Sequence, residues 1–468
     1  MAKSQDKTLV KRIAGLVEEN KELKKQVKEL SEKNEKYTRI IEKFRDQLSQ
    51  YTDVDIEDLR PEIKSDTLRF KMATVLFAEF VGFRRMKDEE STHNMIDELD
   101  NIFFQFEDIT KKYKIERIKS IGDTYMCAGG VPQKNITNPI DVVMAALEMQ
   151  QYVETLKAQY KMQKKDFWDL RIGLHTGSVT AYISGKKKIS YDLKGDTVNI
   201  ASRMKSAAEP GKINISVMTY ELVKEYFTCD YNGKMPVKYQ GDLEMYNVRR
   251  IKLAYSENRK GKAPNDIFHN KYLLRQFSDI QEIVLDKLEK ELPEFLYYHN
   301  VKHTIDVVTQ AELIGYGEGV SDEDILLLKT AALFHDAGQI QGSKDHEDRG
   351  AALAKEELPK FGYTEQHIEM IEKLIMATKL PPNPRTILEK IMCDADLDYL
   401  GRADFIPVSN TLFEELKAQN IITNLNDWNK LQVKFLSGHQ FFTRTANSLR
   451  EVNKQQQIER IKGLITED

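Results

Sequence analysis

The sequence has little of several features that mark particular protein classes. Its three cysteines, Cys127, Cys229 and Cys393, have no CxxC spacing, so they form no disulfide framework and favour a reducing compartment. No apolar run approaches the roughly 20 residues of a membrane span, and the first residues lack the apolar segment of a signal peptide. The net charge of −4 provides no basic field for nucleic acid. We therefore expect a cytoplasmic protein with no membrane and no nucleic-acid partner.

The length and pattern of the chain indicate several domains. At 468 residues it is too long for one hydrophobic core. The sequence predicts an α+β protein with a heptad segment at 1–50, a linker at 51–67, a mixed α/β domain at 68–252, a second linker at 253–268, a helical domain at 269–450 and a tail at 451–468.

The first segment has the heptad pattern of a parallel two-stranded coiled coil. One heptad position holds Leu9, Leu16, Leu23, Leu30, Tyr37 and Phe44, and the other holds Ile13, Asn20, Val27, Asn34, Ile41 and Leu48. Leucine at d, branched residues at a and occasional asparagine at a favour a dimer. The alternative is a single charged helix, but the register persists for more than five heptads. We therefore expect a homodimer.

The second domain alternates strand and helix patterns. Strands are predicted at Phe70–Phe80, Leu170–Val179, Lys212–Val217 and Val237–Arg249, a hairpin at Ile115–Gly130, and helices at Ser91–Tyr113, Pro139–Tyr160 and Thr197–Ala208. The Gly122-Asp123 dipeptide is expected at the turn of the hairpin. Interleaved strands and helices predict a sheet covered by helices.

Four segments of this domain form an ordered series of motifs. They are Phe77-Ala-Glu79-Phe-Val-Gly-Phe83, Lys119-Ser-Ile-Gly-Asp123, Arg171-Ile-Gly-Leu-His-Thr-Gly177 and Asp192-Leu-Lys-Gly-Asp-Thr-Val-Asn199-Ile-Ala-Ser-Arg203. In order and approximate spacing they resemble the motifs of class III adenylate and guanylate cyclases, and several linked motifs are more specific than one. The resemblance implies a ferredoxin-like sheet with helices on one face, and a dimer with active sites at the subunit interface.

The same resemblance implies a metal and phosphate site. Glu79 and Asp123 match two carboxylates that bind Mg²⁺ or Mn²⁺, which are hard ions that need oxygen ligands. The backbone carbonyl of Phe80 would add a ligand, and the turn through Gly82 and Phe83 would present N–H groups to phosphate. Two such ions would activate the ribose 3′-oxygen and offset charge on the α-phosphate.

The remaining matched residues come from the partner subunit. Lys119 and Asp192 match the pair that reads adenine, whereas guanine-specific members tend to have Glu and Cys there. Lysine can donate to adenine N1, and aspartate can accept from the exocyclic amine. Asn199 matches the residue that orients the ribose, and Arg203 matches the one that stabilises the pentavalent phosphate.

Some positions depart from the family pattern. Glu79 stands where aspartate is usual, Ser178 stands where some relatives have a phosphate-binding arginine, and Gln240 stands where others have lysine. The site therefore carries less positive charge than a fully equipped member, which leaves full cyclase activity open.

The helical domain carries a second set of motifs. They are His299-Asn-Val-Lys-His303, His335-Asp336, His346-Glu347 and Asp394-Ala-Asp396. A His-Asp pair in an apolar helix is informative, because a buried unpaired carboxylate is costly. The set resembles the HD superfamily of metal-dependent phosphohydrolases, and its first segment also resembles the start of the cyclic-nucleotide phosphodiesterase catalytic domain.

This second resemblance implies a divalent metal centre. The matched ligands are His303, His335, Asp336 and Asp396. His346 would bind or orient a second ion, and His299, one helical turn before His303, would be the general acid to the leaving oxygen. Imidazole and carboxylate ligands suit Mn, Fe, Zn or Co, and also Mg with help from water.

These observations predict a soluble homodimer that converts ATP to 3′,5′-cyclic AMP and pyrophosphate. The HD domain is expected to hydrolyse a nucleotide phosphoester. The alternative is a nucleotide-responsive regulatory module with a weak or inactive cyclase site, in which the HD domain is the only enzyme or a sensor.

Overall fold

The structure is a computed structural model that describes residues 67–82, 89–184, 190–237 and 241–466. The chain divides into two compact units, Met1–Thr67 and Leu68–Asp468. The predicted coiled coil lies outside the described residues, and so do Phe83 and Gln240 of the cyclase-like segment. Among the described helices, none combines the length and the apolar composition that crossing a bilayer requires.

A mixed sheet organises the first half of the described chain. Its strands are β1 (Thr67–Val81), β2 (Glu116–Ile121), β3 (Thr124–Gly129), β4 (Asp169–Ser184), β5 (Ser190–Lys194), β6 (Ile213–Ser216), β7 (Phe227–Val237) and β8 (Gly241–Ile251). The order is β2-β3-β1-β4-β6-β8-β7, with β5 paired to β4. Strands β4 and β6 are parallel, whereas β1–β3, β2–β3, β4–β5, β6–β8 and β7–β8 are antiparallel.

The hairpin prediction is confirmed, because β2 and β3 pair on either side of Gly122, which has a φ of 57°. The strand predicted at Val237–Arg249 was wrong in its bounds. Two strands, β7 and β8, meet near its start, and β7 was missed although Phe227, Cys229, Tyr231, Met235 and Val237 follow the alternating pattern of a strand.

Helices cover both faces of this sheet. They are α1 (Glu89–Lys112), α2 (Asn138–Met162), α3 (Asp196–Ala207) and α4 (Val217–Val223). Helices α1, α2 and α4 share one core with Leu76, Ala78 and Phe80 of β1. Helix α3 packs through Ala201 on the opposite face, against the alternate β1 residues such as Val75. The expectation that all helices lie on one face was therefore wrong.

The rest of the described chain is helical, as predicted. Its helices are α5 (Asp266–Glu291), α6 (Val301–Glu318), α7 (Asp322–Phe334), α8 (His346–Glu357), α9 (Glu365–Met376), α10 (Ile387–Asp396), α11 (Phe405–Ala418), α12 (Leu425–Gly438) and α13 (Arg444–Lys462). Helix α7 lies at the centre, where residues Ile325–Leu328 and Ala331–Phe334 are buried. Helix α13 continues across residue 451, where the sequence suggested a tail.

Helix α5 belongs to both halves of the described chain. Near its start, Phe268 packs in the core of the sheet domain, whereas Phe277 lies in the helical core. Between them, the Tyr272 hydroxyl donates to Asp141 Oδ1 of α2 at 2.7 Å. Burial raises the pKa of Asp141 to about 6, although Tyr272 and other donors oppose the shift. Asp279 of α5 accepts the backbone N–H of Ile136 at 2.9 Å, so the two halves are joined by partly buried hydrogen bonds as well as by packing.

Candidate functional site

Glu79 and Asp123 lie together at the end of β1 and the β2–β3 turn. Glu79 is opposite Thr124 in the β1–β3 register, and the backbone N–H of Phe80 donates to the Asp123 carbonyl at 3.1 Å. The Phe80 ring is buried in an aromatic cluster with Phe106, which fixes the backbone at this point. Asp123 is 7% exposed, and its backbone is adjacent to that of Glu79 and Phe80 in the sheet.

The carboxylate of Glu79 is engaged by two cations of the same chain. Lys205 Nζ of α3 donates to Oε1 at 3.0 Å, and Arg171 Nε of β4 donates to Oε2 at 2.5 Å. Burial raises the pKa of Glu79, but the hydrogen bonds and charges of Lys205 and Arg171 outweigh it and lower the pKa below its usual range. Both oxygens are thus engaged, which does not fit an open metal ligand.

The two residues predicted to read the base contact each other. Lys119 Nζ of β2 and Asp192 Oδ1 of β5 are 2.7 Å apart, and both side chains are about half exposed, at 43% and 45%. Strand β5 pairs with β4 and also contacts β2. The fold therefore presents an ammonium and a carboxylate side by side on one surface.

Helix α3 presents its two predicted residues outward. Asn199 and Arg203 are one turn apart and exposed, so they share the face that turns away from the sheet. Arg203 Nη1 donates to the Pro236 carbonyl at 3.4 Å. Gly82, the predicted phosphate turn, has a φ of 95°, a conformation that L side chains rarely adopt.

In the helical half, four predicted ligand atoms converge. His303 Nε2 and His335 Nε2 are 3.3 Å apart. Asp336 Oδ2 lies 3.4 and 3.2 Å from these two atoms, and Asp396 Oδ1 lies 3.2 and 3.4 Å from them. Ligands that share an ion at about 2.0–2.2 Å must lie on the order of 3 Å from one another. The separations therefore match those of a metal shell.

The hydrogen bonds around these residues also fit a metal. His335 Nδ1 donates to the Ala332 carbonyl at 2.8 Å, which leaves the Nε2 lone pair directed at the cluster. Asp336 Oδ2 is buried and has no hydrogen bond of acceptable geometry. Such an oxygen would be costly without a cation. His303, His335 and Asp396, with Asp336 beside them, thus form a candidate donor set for one divalent ion.

Two further histidines lie beside this cluster. His346 Nε2 lies 3.1 Å from Asp336 Oδ1, and its Nδ1 donates to the Ser343 carbonyl at 2.9 Å, so it orients the far side of the aspartate. The His299 ring is 5.9 Å from that of His303. The structure therefore brings together all six residues that the sequence predicted for this site.

The sequence analysis missed Glu415, which holds His299 in place. Its Oε1 lies 2.5 Å from His299 Nδ1, and its Oε2 accepts the backbone N–H groups of Tyr298 and His299. Burial lowers the pKa of His299, but Asp336 and Glu415 outweigh it and raise the pKa above its ordinary value. Glu415 is 2% exposed. The sequence signal for it is a charged residue at a position of α11 where the helical pattern calls for an apolar one.

Comparison with protein families agrees with this geometry. Residues 66–250 match the adenylate and guanylate cyclase catalytic domain, and residues 300–398 match the HD domain. The chain carries a class III nucleotidyl cyclase catalytic domain followed by an HD domain. Domains of both kinds are metal-dependent, and class III cyclase domains act as dimers that bind nucleotide.

The relatives include cyclases for both purine nucleotides. Receptor-type guanylate cyclase gcy-8 of Caenorhabditis elegans is 36% identical over 176 residues, which are 37% of this chain and 15% of that protein. An adenylate cyclase of Mycobacterium tuberculosis is 32% identical over 186 residues, 40% of this chain and 41% of that protein. The chain spans less than half the length of either. The crystal structure of the adenylyl cyclase CyaB from P. aeruginosa has 29% identity, a TM-score of 0.36, and covers 39% of this chain and 96% of its own.

Two cavities open beside the metal cluster of the HD domain. One, of about 290 Å³, is lined by Lys302 and Arg402, and Arg402 is paired with Asp306 and Asp404. The other, of about 310 Å³, contains His299 and is otherwise mostly apolar. Its apolar lining is Leu380, Leu397, Leu400, Phe405, Leu412, Leu416, Trp428, Leu431, Phe435 and Leu436. A ligand at the cluster would thus meet a charged side and an apolar side.

The HD cluster predicts that metal stabilises the full chain without nucleotide. Mn²⁺ at 100 times its dissociation constant should add about 2.7 kcal/mol to the free energy of unfolding, because it binds the folded state only. Differential scanning calorimetry should show a higher Tm for the wild type. Asp396→Asn should abolish this shift, whereas Asp404→Asn, a cavity carboxylate outside the cluster, should retain it. An equal shift in all three proteins would contradict the assignment.

Proposed function

We propose that this protein is an adenylate cyclase that converts ATP to 3′,5′-cyclic AMP and pyrophosphate at a homodimer interface. The HD domain would hydrolyse a nucleotide phosphoester. The paired side chains of Lys119 and Asp192 carry the choice of ATP over GTP. Other contacts of the fold support cyclisation of a nucleoside triphosphate without regard to its base, whereas this pair would distinguish adenine from guanine.

The donors and acceptors of this pair suit adenine. Lys119 can donate to N1, which is an acceptor in adenine, and Asp192 can accept from the exocyclic amine. Guanine has a carbonyl at C6 and an N–H at N1, so each contact with it would oppose donor to donor or acceptor to acceptor. Hydrogen bonds to charged groups contribute roughly 1.5–3 kcal/mol each. The pair is therefore sufficient for a clear preference.

The outward face of α3 supports a shared site in a dimer. Asn199 and Arg203 are directed away from the sheet that carries Asp123 of the same chain. In a dimer they would serve the site of the partner, where Asn199 orients the ribose and the Arg203 guanidinium meets the charge that develops on the α-phosphate. Asp123, together with the Phe80 carbonyl, would hold Mg²⁺ or Mn²⁺, which lowers the pKa of the attacking 3′-hydroxyl.

Exchange of the base-reading pair should change the substrate. In the double variant Lys119→Glu and Asp192→Cys, the kcat/KM ratio for ATP over GTP should fall by on the order of 100-fold, because two charged hydrogen bonds to adenine are lost. The measurement is the rate of cyclic AMP formation from ATP and of cyclic GMP formation from GTP, each with Mn²⁺. The control is Lys224→Glu, which removes the ion pair between Lys224 and Glu221, whose side chains are similarly exposed. It should leave the kcat/KM ratio for ATP over GTP unchanged. Wild-type protein that cyclises no nucleoside triphosphate would refute the proposal.

The HD site supports hydrolysis of a phosphoester. His303, His335, Asp336 and Asp396 would hold a divalent ion, which would lower the pKa of a water and so provide a nucleophile near neutral pH. His299, held by Glu415 and raised in pKa, can donate its proton to the leaving oxygen. The apolar cavity that contains His299 offers space for the leaving group, and its aromatic side chains suit a purine base. A nucleoside phosphoester, with cyclic AMP as the first substrate to test, fits these properties.

The rate loss on replacing His299, the proposed general acid, should depend on whether the leaving group needs a proton. The background for this test is the full chain with Asp123→Asn, which removes cyclisation. There, His299→Asn should lower hydrolysis of cyclic AMP by roughly 100-fold or more. It should lower hydrolysis of bis(p-nitrophenyl) phosphate much less, because nitrophenolate leaves without a proton. His367→Asn, a buried histidine outside the cluster, is the control. Equal losses on both substrates would contradict the role of His299.

A second candidate function is regulatory, and the bonds of Glu79 to Lys205 and Arg171 favour it. With one of the two predicted metal carboxylates engaged, the cyclase domain could bind nucleotide and signal to the HD domain with little turnover. Calorimetry with ATP separates the two proposals, because binding without cyclic product supports the regulatory module.

A further inference from the structure

The cluster around Glu79 is a compact arrangement of two cations and one carboxylate. The side chains of Lys205, Arg171 and Glu79 are 11%, 28% and 17% exposed, so the cluster is largely shielded from water. Each carboxylate oxygen has its own cationic donor. Charge-assisted hydrogen bonds in such surroundings are strong, because water does not compete for them.

The backbone holds Lys205 at this position. A Cβ atom on Gly173 of β4 would lie 1.8 Å from the backbone nitrogen of Lys205, so glycine allows α3 to lie directly on the strand. Arg171 is two residues before Gly173 and therefore points to the same face of the sheet. The packing of α3 on β4 thus places Lys205 and Arg171 beside Glu79, and both residues belong to regular secondary structure rather than to a loop.

Helical periodicity separates Lys205 from the residues offered to the partner. Successive residues of an α-helix are about 100° apart, so Lys205 lies on roughly the opposite side of α3 from Arg203. Arg203 is exposed, whereas Lys205 faces the sheet of its own chain. One helix therefore presents a cation to each of two sites.

A divalent ion on Glu79 would have to displace these bonds. It would also lie beside an ammonium and a guanidinium, and like charges in a poorly solvated region repel strongly. The cluster already carries a formal charge of +1 where the family pattern places a metal carboxylate. Lys205 is thus in a position to do electrostatically what an ion would do.

We propose that the cyclase site uses one divalent ion, held by Asp123, and that the Lys205 ammonium replaces the ion expected on Glu79. This rests on the proposed cyclase function. Glu79 is then a positioning residue that directs Lys205, rather than a metal ligand. An ammonium has three donors, and Glu79 accepts one of them, so Lys205 can also donate to oxygens of the triphosphate.

Equilibrium dialysis of the full chain tests this directly. Protein-bound Mn²⁺ per protomer is counted with saturating adenosine 5′-(α,β-methylene)triphosphate, which cannot be cyclised, and bound nucleotide is counted in parallel. The HD site contributes equally to every protein, so differences from the wild type report the cyclase site. Glu79→Gln should leave the Mn²⁺ count unchanged. Lys205→Met, which keeps an unbranched side chain of similar length, should add one ion because it releases Oε1 of Glu79.

The outcomes separate this inference from the proposed function. Asp123→Asn should lower the Mn²⁺ count, and if it does not, the proposed metal site at Asp123 fails. If Asp123→Asn lowers the count and Glu79→Gln lowers it too, only the replacement by Lys205 is refuted. An unchanged count in Lys205→Met would also refute it, and this variant serves if Glu79→Gln does not fold.

Discussion

The contact between α3 and β4 at Gly173 determines the arrangement of the cyclase site. It brings the helix backbone against the strand. A side chain at position 173 would clash with the backbone nitrogen of Lys205. From that position, one side of α3 completes the Glu79 cluster and the other exposes Asn199 and Arg203. A larger residue at 173 would move both sets together, so the electrostatics of one site and the contribution to its neighbour depend on the same packing.

The HD site is built on a different principle. Its ligands come from helices α6 and α10 and from the two residues that follow α7, and they meet at separations set by the buried helical core. Each of the two imidazole nitrogens lies within 3.4 Å of one oxygen of Asp336 and one of Asp396, an arrangement that suits a shared cation. Helix α5 joins this core to that of the cyclase domain through Phe268 and Phe277.

The motifs identified candidate residues for both sites, because their chemistry lies in short local segments, and the structure brings those of the HD site together. Their partners could not be predicted in this way. Glu415 meets His299 across 116 residues, and Lys205 meets Glu79 across 126, and no local pattern connects such positions. The period of α3 does place Lys205 on the side facing the sheet, but the carboxylate that it meets depends on strand order. The position of α3 on the second face of the sheet could not be predicted either, because propensity and periodicity do not specify which face a helix covers.

We infer that each cyclase site combines Asp123 of one subunit with Arg203 of the other. Co-expression of Asp123→Asn and Arg203→Ala chains with different tags allows the heterodimer to be purified. One of its sites carries both substitutions and the other carries neither, so two-fold symmetry predicts about half of the wild-type cyclase rate per dimer, although each homodimer is inactive. A heterodimer as inactive as both homodimers would contradict the account.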